Sequence, residues 1–524
     1  MGEADIVVIG GGSGGSAAAG RLSEDGSTKV ALLEAGGRNT GLKTRMPGML
    51  PFQGPDTNWA FETEPQAGLR GRRGYQPRGK GLGGSSAINA MLYIRGHPSD
   101  YDQWRDLGCT GWGWEDVVPW FKRAEHNTRG ADAWHGDAGP LWVSDQHHAN
   151  PGSHAFVAAA QAVQVPLNPD FNGARQEGAG LYQVTQRGGE RWTASRAYLP
   201  DRDNLAIHCG ATVERLLLEG NQVCGVAYRQ DGEARQIRAK RVVLAAGAFQ
   251  TPQLLMLAGI GPAGQLRVLG IEVRIDRPAV GADLQDHADY IAAFETRGAP
   301  FLGRSPLGTL RSLGAMLQWL ATRRGGMTSP FAEAGAFLRT DPDDPRPDIQ
   351  LHFVVALVED HGRTRLKAHG YSCHACVLRP ESRGSVTLAS ADIRDAPRID
   401  PAFLTAPGDI VRLRRGVRAM YRILDAPPLA AYAPRELYPV DRDDDAALDA
   451  AIRARADTIY HPVGTARMGS DGDAVVDPRL RVRGIEGLYL ADASVMPRLI
   501  GGNTNAPTMM IGERCAAFVA EDRA

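Results

Sequence analysis

The chain has 524 residues, 43% of them hydrophobic, and Lys+Arg 59 against Asp+Glu 60 leave a formal charge of −1. That length is enough for two or three domains around a sizeable core and an enclosed ligand. The balanced charge supplies no global field toward nucleic acid or an acidic membrane, and six scattered cysteines do not make the framework of a small disulfide-stapled domain.

Ile6-Val7-Val8-Ile9 is a short β-branched run and reads as a buried parallel strand. No basic segment, apolar stretch and cleavage site precede it, and no uninterrupted apolar run reaches about 18 residues. The expectation is a cytoplasmic protein, with any membrane contact peripheral. Gly10 to Gly15 follow as a glycine turn, Ser16 to Leu22 read as helix, and Lys29 to Leu33 form a second strand ending at Glu34. Gly36 to about Gly96 is rich in Gly, Pro and Arg and long for a loop, which in a compact domain marks function.

Leu205 to Arg229 alternates like an antiparallel meander, and Arg241 to Ala246 is another apolar strand entering a turn at Gly247. Pro252 to Ala258 has helical spacing. The middle of the chain is expected to hold a helix over Leu307 to Ala321, strands over Ile349 to Leu357 and Tyr371 to Leu378, and helices near 409–424 and 444–456. Leu307, Leu310, Leu313, Leu317 and Leu320 fall along one side of their helix, with Arg311, Arg323 and Arg324 nearby. Such stripes ordinarily pack inward, so a core-facing helix is expected, with a membrane-surface helix or lid as the other reading. Leu488 to Ala493 returns to a buried strand before a Gly/Asn/Pro-rich turn and a helix from about Thr508.

Cys373-His374-Ala375-Cys376 has C-x-x-C spacing. A structural zinc site needs four ligands and no second Cys/His pair follows, so no metal is expected.

Three motifs carry chemistry. Gly10-x-Gly12-x-x-Gly15 lies between a strand and a helix, where close backbone approach and free N–H groups suit a pyrophosphate. Glu34, 24 residues after Gly10, is placed to accept from ribose hydroxyls and would repel a 2′-phosphate. Gly79-Lys80-Gly81-Leu82-Gly83-Gly84-Ser85-Ser86-Ala87-Ile88-Asn89-Ala90-Met91 offers a second backbone that a flat, charged cofactor can approach. His461-Pro462-Val463-Gly464 and Asn503-Thr504-Asn505-Ala506-Pro507 form the third, which by itself reads as a loop histidine and takes a chemical role only from a family resemblance.

Gly79 to Arg95 resembles the first signature of the GMC (glucose–methanol–choline) oxidoreductases, and Gly247 to Gly261 resembles the second. Ala258 departs from the family's usual Ser, and Asp283 from its usual Asn. The resemblance runs from the first strand to the last helix and is weakest around 295–345. It implies an α/β fold, a Rossmann-like FAD-binding domain with a second α+β substrate domain. The FAD-binding parts are expected in 1–290 and 460–524, the substrate domain in 291–459 with a contribution near 155–200.

The resemblance also implies a site. His461 is the general base and Asn505 the second active-site residue, orienting an alcohol for hydride transfer to flavin N5. Cofactor contacts are expected at Gly10, Gly12, Ser13, Gly15, Glu34 and Ala35, and at Gly81, Gly83, Asn89, Ala90, Met91 and Leu92. Trp59, Val213, Asp492 and Ala493 complete them. Relatives that tether FAD do so through a histidine where this chain has Ile88, so FAD is expected to be non-covalent. Tyr93 to Asp102 and Tyr371 to Pro380 are similar to bacterial choline, polyethylene glycol and aliphatic alcohol dehydrogenases. The expected partners are therefore a small alcohol and a quinone or other electron carrier. The other readings are an oxygen-using alcohol oxidase of the aryl-alcohol or hydroxymethylfurfural kind, a flavin lyase or photodecarboxylase, and a non-catalytic flavoprotein.

Overall fold

The computed structural model describes residues 2–297, 300–303, 305–364 and 366–523, without the side chains of Pro306 and Leu307. The short apolar runs read as buried strands form one five-stranded parallel sheet. Its order is Leu205–Cys209, Val30–Glu34, Ile6–Ile9, Arg241–Leu244 and Leu488–Leu490. The four residues of Ile6–Ile9 are all buried, as a central strand covered on both faces requires. Helix Ser13–Leu22 packs on this sheet and against the last helix, Asn505–Glu521. The helices approach closely because Gly512 carries no Cβ; one placed there would sit 2.3 Å from the Gly14 carbonyl oxygen.

One sequence expectation is corrected here. Leu205–Cys209 does not open the meander but pairs in parallel with Val30–Glu34 at the edge of the sheet. An edge strand with one wet face alternates as a meander strand does, so the pattern alone could not separate them. The antiparallel meander is Thr212–Glu219, Gln222–Gln230 and Glu233–Arg238.

A second sheet of seven strands is antiparallel throughout. Its order is Arg435–Glu436, Ala288–Thr296, His369–Val377, Ile349–Val354, Ala332–Leu338 and Gly178–Leu181, with Asp457–Thr458 also pairing to Ala288–Thr296. The two-residue period of a strand sorts its side chains. Leu351 and Phe353 pack with Phe156, Leu413 and Met420 beneath helices Pro151–Ala162 and Pro407–Leu424. His352 and Val354 face the other way and line a cavity.

Cys373 and Cys376 lie on strand His369–Val377, three residues apart and hence on opposite faces, each in a different apolar cluster. Burial pushes both thiols well above the ordinary range, which keeps them protonated.

The leucine stripe differs from expectation. Helix Pro306–Thr322 forms, but Leu310 is 67% exposed, Leu313 48%, Leu317 58% and Leu320 39%. It packs instead through Gly308 and Trp319, whose indole N–H donates to the Gly189 carbonyl at 2.8 Å. Periodicity identifies the residues that share a face but not the direction that face points.

Candidate active site

A cavity of about 1450 Å³ runs from the carboxyl ends of the parallel strands to the inner face of the antiparallel sheet. At the parallel-sheet end three helices begin: Ser13–Leu22 and Asn505–Glu521, whose N-cap residues make no side-chain capping hydrogen bond, and Gly247–Leu257, whose first N–H is taken by Asp492. All three N-termini border the cavity, so the positive ends of three helix dipoles converge on it. A Cβ added at Gly12 would meet nothing within 4 Å, which leaves the turn open to a ligand's approach.

Glu34 lines this end, and its carboxylate ties the surrounding turns together. Oε2 accepts from the Gly11 N–H at 2.8 Å, while Oε1 accepts from the Gly36 N–H at 2.8 Å and the Gly81 N–H at 2.9 Å. Asp492 Oδ2 accepts from the Gly247 N–H at 2.9 Å and the Thr251 hydroxyl at 2.5 Å, fixing the start of a second helix.

Of the residues expected from sequence, Gly10, Gly12, Ser13, Glu34, Ala35, Trp59, Asn89, Ala90, Met91, Leu92, Val213, Asp492, Ala493, His461 and Asn505 line the cavity. Gly15, Gly81 and Gly83 do not border it. A Cβ at Gly15 would lie 1.9 Å from the Gly10 carbonyl oxygen, so this glycine seats the helix on its strand. Gly83 donates its N–H to the Gly11 carbonyl at 2.7 Å, joining the two glycine-rich segments. Those two shape the wall from behind.

The other end of the cavity holds the titratable groups. His461 is 8% exposed, with each ring nitrogen engaged. His287 Nε2–H donates to the Leu378 carbonyl at 2.9 Å, which leaves His287 Nδ1 as an acceptor. His461 Nδ1–H therefore donates to His287 Nδ1 at 3.0 Å, and the lone pair of His461 Nε2 faces Asn503 Nδ2 at 3.1 Å. The Asn503 amide is oriented in turn because its Oδ1 accepts from Gln350 Nε2 at 3.1 Å. Burial lowers His461 well below the ordinary histidine range, reinforced by His287, His352 and Arg78. Burial also lowers His287 to about 4 and His352 to about 3. His461 is therefore neutral and held in one tautomer.

The two asparagines of the closing turn make different contacts. Asn503 meets His461, whereas Asn505 Oδ1 accepts from the Ser13 hydroxyl at 2.7 Å. Asn505 is the first residue of the last helix, and its position there turns the side chain toward the glycine turn. Both asparagines belong to one Asn-Thr-Asn turn, so the residue signal was present, but the backbone path decides between them.

Sequence reading also missed His352, which is 3% exposed, lines the cavity, and by geometry has no hydrogen-bond partner for either ring nitrogen among the described residues, although Asn503 lies close enough to act on its charge. It missed buried Arg191 as well, whose Nη1 donates to the Asn89 backbone oxygen at 2.5 Å and to Asn89 Oδ1 at 2.9 Å. That pair holds the segment leading to Met91, which lies in the left-handed region at φ 62°. A long side chain rarely adopts that conformation, and it persists here under tertiary constraint.

The GMC oxidoreductase family matches residues 4–289 and again 380–512. The chain belongs to the GMC oxidoreductases. It is 44% identical over 532 residues to an alcohol dehydrogenase [acceptor] of Pseudomonas putida, covering 98% of this chain and 95% of that one. It is 40% identical over 527 residues to an oxygen-dependent choline dehydrogenase of Rhizobium etli, covering 99% and 95%. Among solved structures, pyridoxine 4-oxidase from Mesorbium loti superposes with a TM-score of 0.88 at 35% identity, covering 98% of this chain and 99% of that one.

Membership of the GMC oxidoreductases implies FAD, and the cavity fits it. Gly10, Gly12 and Ser13 with the uncapped helix would hold the pyrophosphate, and Ala211 to Val213 with Trp59 would flank the adenosine half. Ala90 to Leu92, Ala246 to Ala248 and Ala493 would surround the ring system that carries redox chemistry.

Proposed function

We propose that this chain oxidises an uncharged alcohol to an aldehyde or ketone, with His461 as the base. The observation that carries this reading is the His287–His461–Asn503 chain, which keeps His461 in one neutral tautomer with its Nε2 lone pair against the Asn503 amide, both residues on the cavity wall. Bound FAD supplies a hydride acceptor. His461 takes the hydroxyl proton, while Asn503 donates its amide N–H to the same oxygen and fixes the carbinol carbon toward the flavin. His352, without a hydrogen-bond partner among the described residues, adds a polar edge on the same wall.

The walls support a neutral substrate. Met91, Leu92, Phe331, Val354, Ile459 and Tyr460 surround the histidine end. Among the described residues, the only carboxylates lining the cavity are Glu34 and Asp492, both at the glycine-turn end. A quaternary ammonium would find no carboxylate on the wall at the histidine end, where Asp286 and Asp289 lie behind it on His461 and His374. Ile88 lines the cavity without a nucleophile, which supports non-covalent FAD. The name of the Pseudomonas putida relative supports an electron acceptor such as a quinone or another carrier.

The test is anaerobic mixing of the flavoprotein with a panel of alcohols while flavin absorbance is followed. Apolar primary alcohols are expected to bleach the flavin, with choline far slower. Rapid bleaching by choline alone would contradict the substrate assignment, and bleaching by no alcohol would contradict the reaction.

A further inference from the structure

The segment from Thr296 to Ala332 contains five arginines (297, 304, 311, 323 and 324) and no aspartate, glutamate or lysine, in a chain whose formal charge is −1. At its centre, helix Pro306–Thr322 presents Leu310, Leu313, Leu317 and Leu320 to solvent on one face. At 100° per residue these four fall within about 80° of arc, opposite buried Trp319. Arg297, Arg311 and Arg324 are exposed around the stripe, while Arg323 is held inward by Glu190 at 2.8 Å. A leucine stripe turned outward, flanked by cations and free of acids, has the complementarity for an anionic lipid surface.

The helix that carries the stripe also forms part of the cavity wall. Gly308, Thr309, Arg311, Ser312 and Ala315 on the flank of the same helix line the cavity, and so does Phe52, which is 51% exposed. The 3₁₀ turn that carries Phe52 packs on Gly326–Thr328, just beyond the helix. We propose that helix Pro306–Thr322 docks the enzyme on an anionic membrane surface, its leucines in the acyl boundary and its arginines at the headgroups. The cavity mouth then opens toward the bilayer, from which an apolar alcohol or a lipid-dissolved quinone enters without crossing water. The docking step does not depend on the reaction proposed above. No helix among the described residues is long and apolar enough to span a membrane, so the contact is interfacial.

The test is flotation of the flavin-loaded enzyme with phosphatidylcholine vesicles and with vesicles containing about one-third phosphatidylglycerol. The expected result is flotation on the anionic vesicles, weakened by high salt. The double variant Leu313→Glu/Leu317→Glu is expected to float at least tenfold less while keeping its flavin absorbance and melting temperature. Those two controls separate a failure of docking from a failure of folding, and neither requires activity on any alcohol. Equal flotation of the variant, or equal flotation on neutral vesicles, would overturn the proposal. So would a lack of flotation combined with a dimer that the leucine variant dissociates, which would assign the stripe to a second copy of the chain.

Discussion

In the proposed reaction His461 and Asn503 act on one hydroxyl group, and their replacements are expected to separate accordingly. His461→Ala should retain FAD, because the glycine turn lies at the far end of the cavity, and slow flavin reduction by roughly 10²-fold or more. Asn503→Ala should slow the same step by roughly tenfold or more through misorientation. Asn505→Ala, which breaks the bond to Ser13, should instead lower the flavin:protein ratio with a smaller effect on reduction. Single-turnover kinetics with absorbance-based flavin content distinguishes the two asparagines. The lowered His461 value adds a pH prediction. A base whose pKa is depressed stays unprotonated to lower pH, so the acid limb of kcat/KM should fall below pH 6.5. An acid limb above that value would contradict the buried, tautomer-fixed base. The sequence made the histidine legible because it stands alone in its motif. It left the asparagine ambiguous because two stand two residues apart, and only the start of the helix at Asn505 separates their directions.

At the scale of elements, two neighbouring glycines should fail in different ways. Gly12→Val adds atoms where nothing stands within 4 Å, so the fold should persist while flavin content drops. Gly14→Val places a Cβ 1.9 Å from the Ala491 carbonyl oxygen and must lift the helix from the sheet, a loss of about 3 kcal/mol or more. Melting temperature and flavin content, measured on the same samples, test the contrast.

A buried network elsewhere gives an alkaline effect on stability. His135 Nε2 pairs with Asp170 at 2.8 Å and Nδ1 with Glu125 at 3.1 Å. Burial opposes its charge, but those hydrogen bonds prevail and raise it to about 9. A pKa raised on folding contributes stability that is full below about 6.5 and lost as pH rises through 9, amounting to at most about 3 kcal/mol. His135→Gln should flatten the decline of melting temperature over that window. Patterning revealed most of these elements, since strands such as Ile6–Ile9 are apolar on both faces and short. It misread Leu205–Cys209, whose half-wet alternation suits two different sheets, and the leucine helix, whose outward face no internal contact explains.

At the scale of the whole molecule, two sheets meet across one cavity: a parallel sheet whose strand ends carry the glycine turn and Glu34, and an antiparallel sheet whose inner face carries His352. The first was readable in sequence from the glycine turn, Glu34 and the signatures. The second was not, because its strands come from distant segments and the cavity exists only once they are paired. The electron acceptor is a property at this scale. Enzyme reduced by alcohol is expected to reoxidise faster with an artificial quinone than with air, and stoichiometric hydrogen peroxide at the full turnover rate would move it to the oxidases. The most direct test of the central claim is anaerobic reduction of the bound flavin by an apolar primary alcohol, comparing the native chain with His461→Ala at matched flavin content. Rapid bleaching is expected in the native protein, and bleaching slowed by roughly 10²-fold or more in the variant. Equal rates in the two proteins would contradict it.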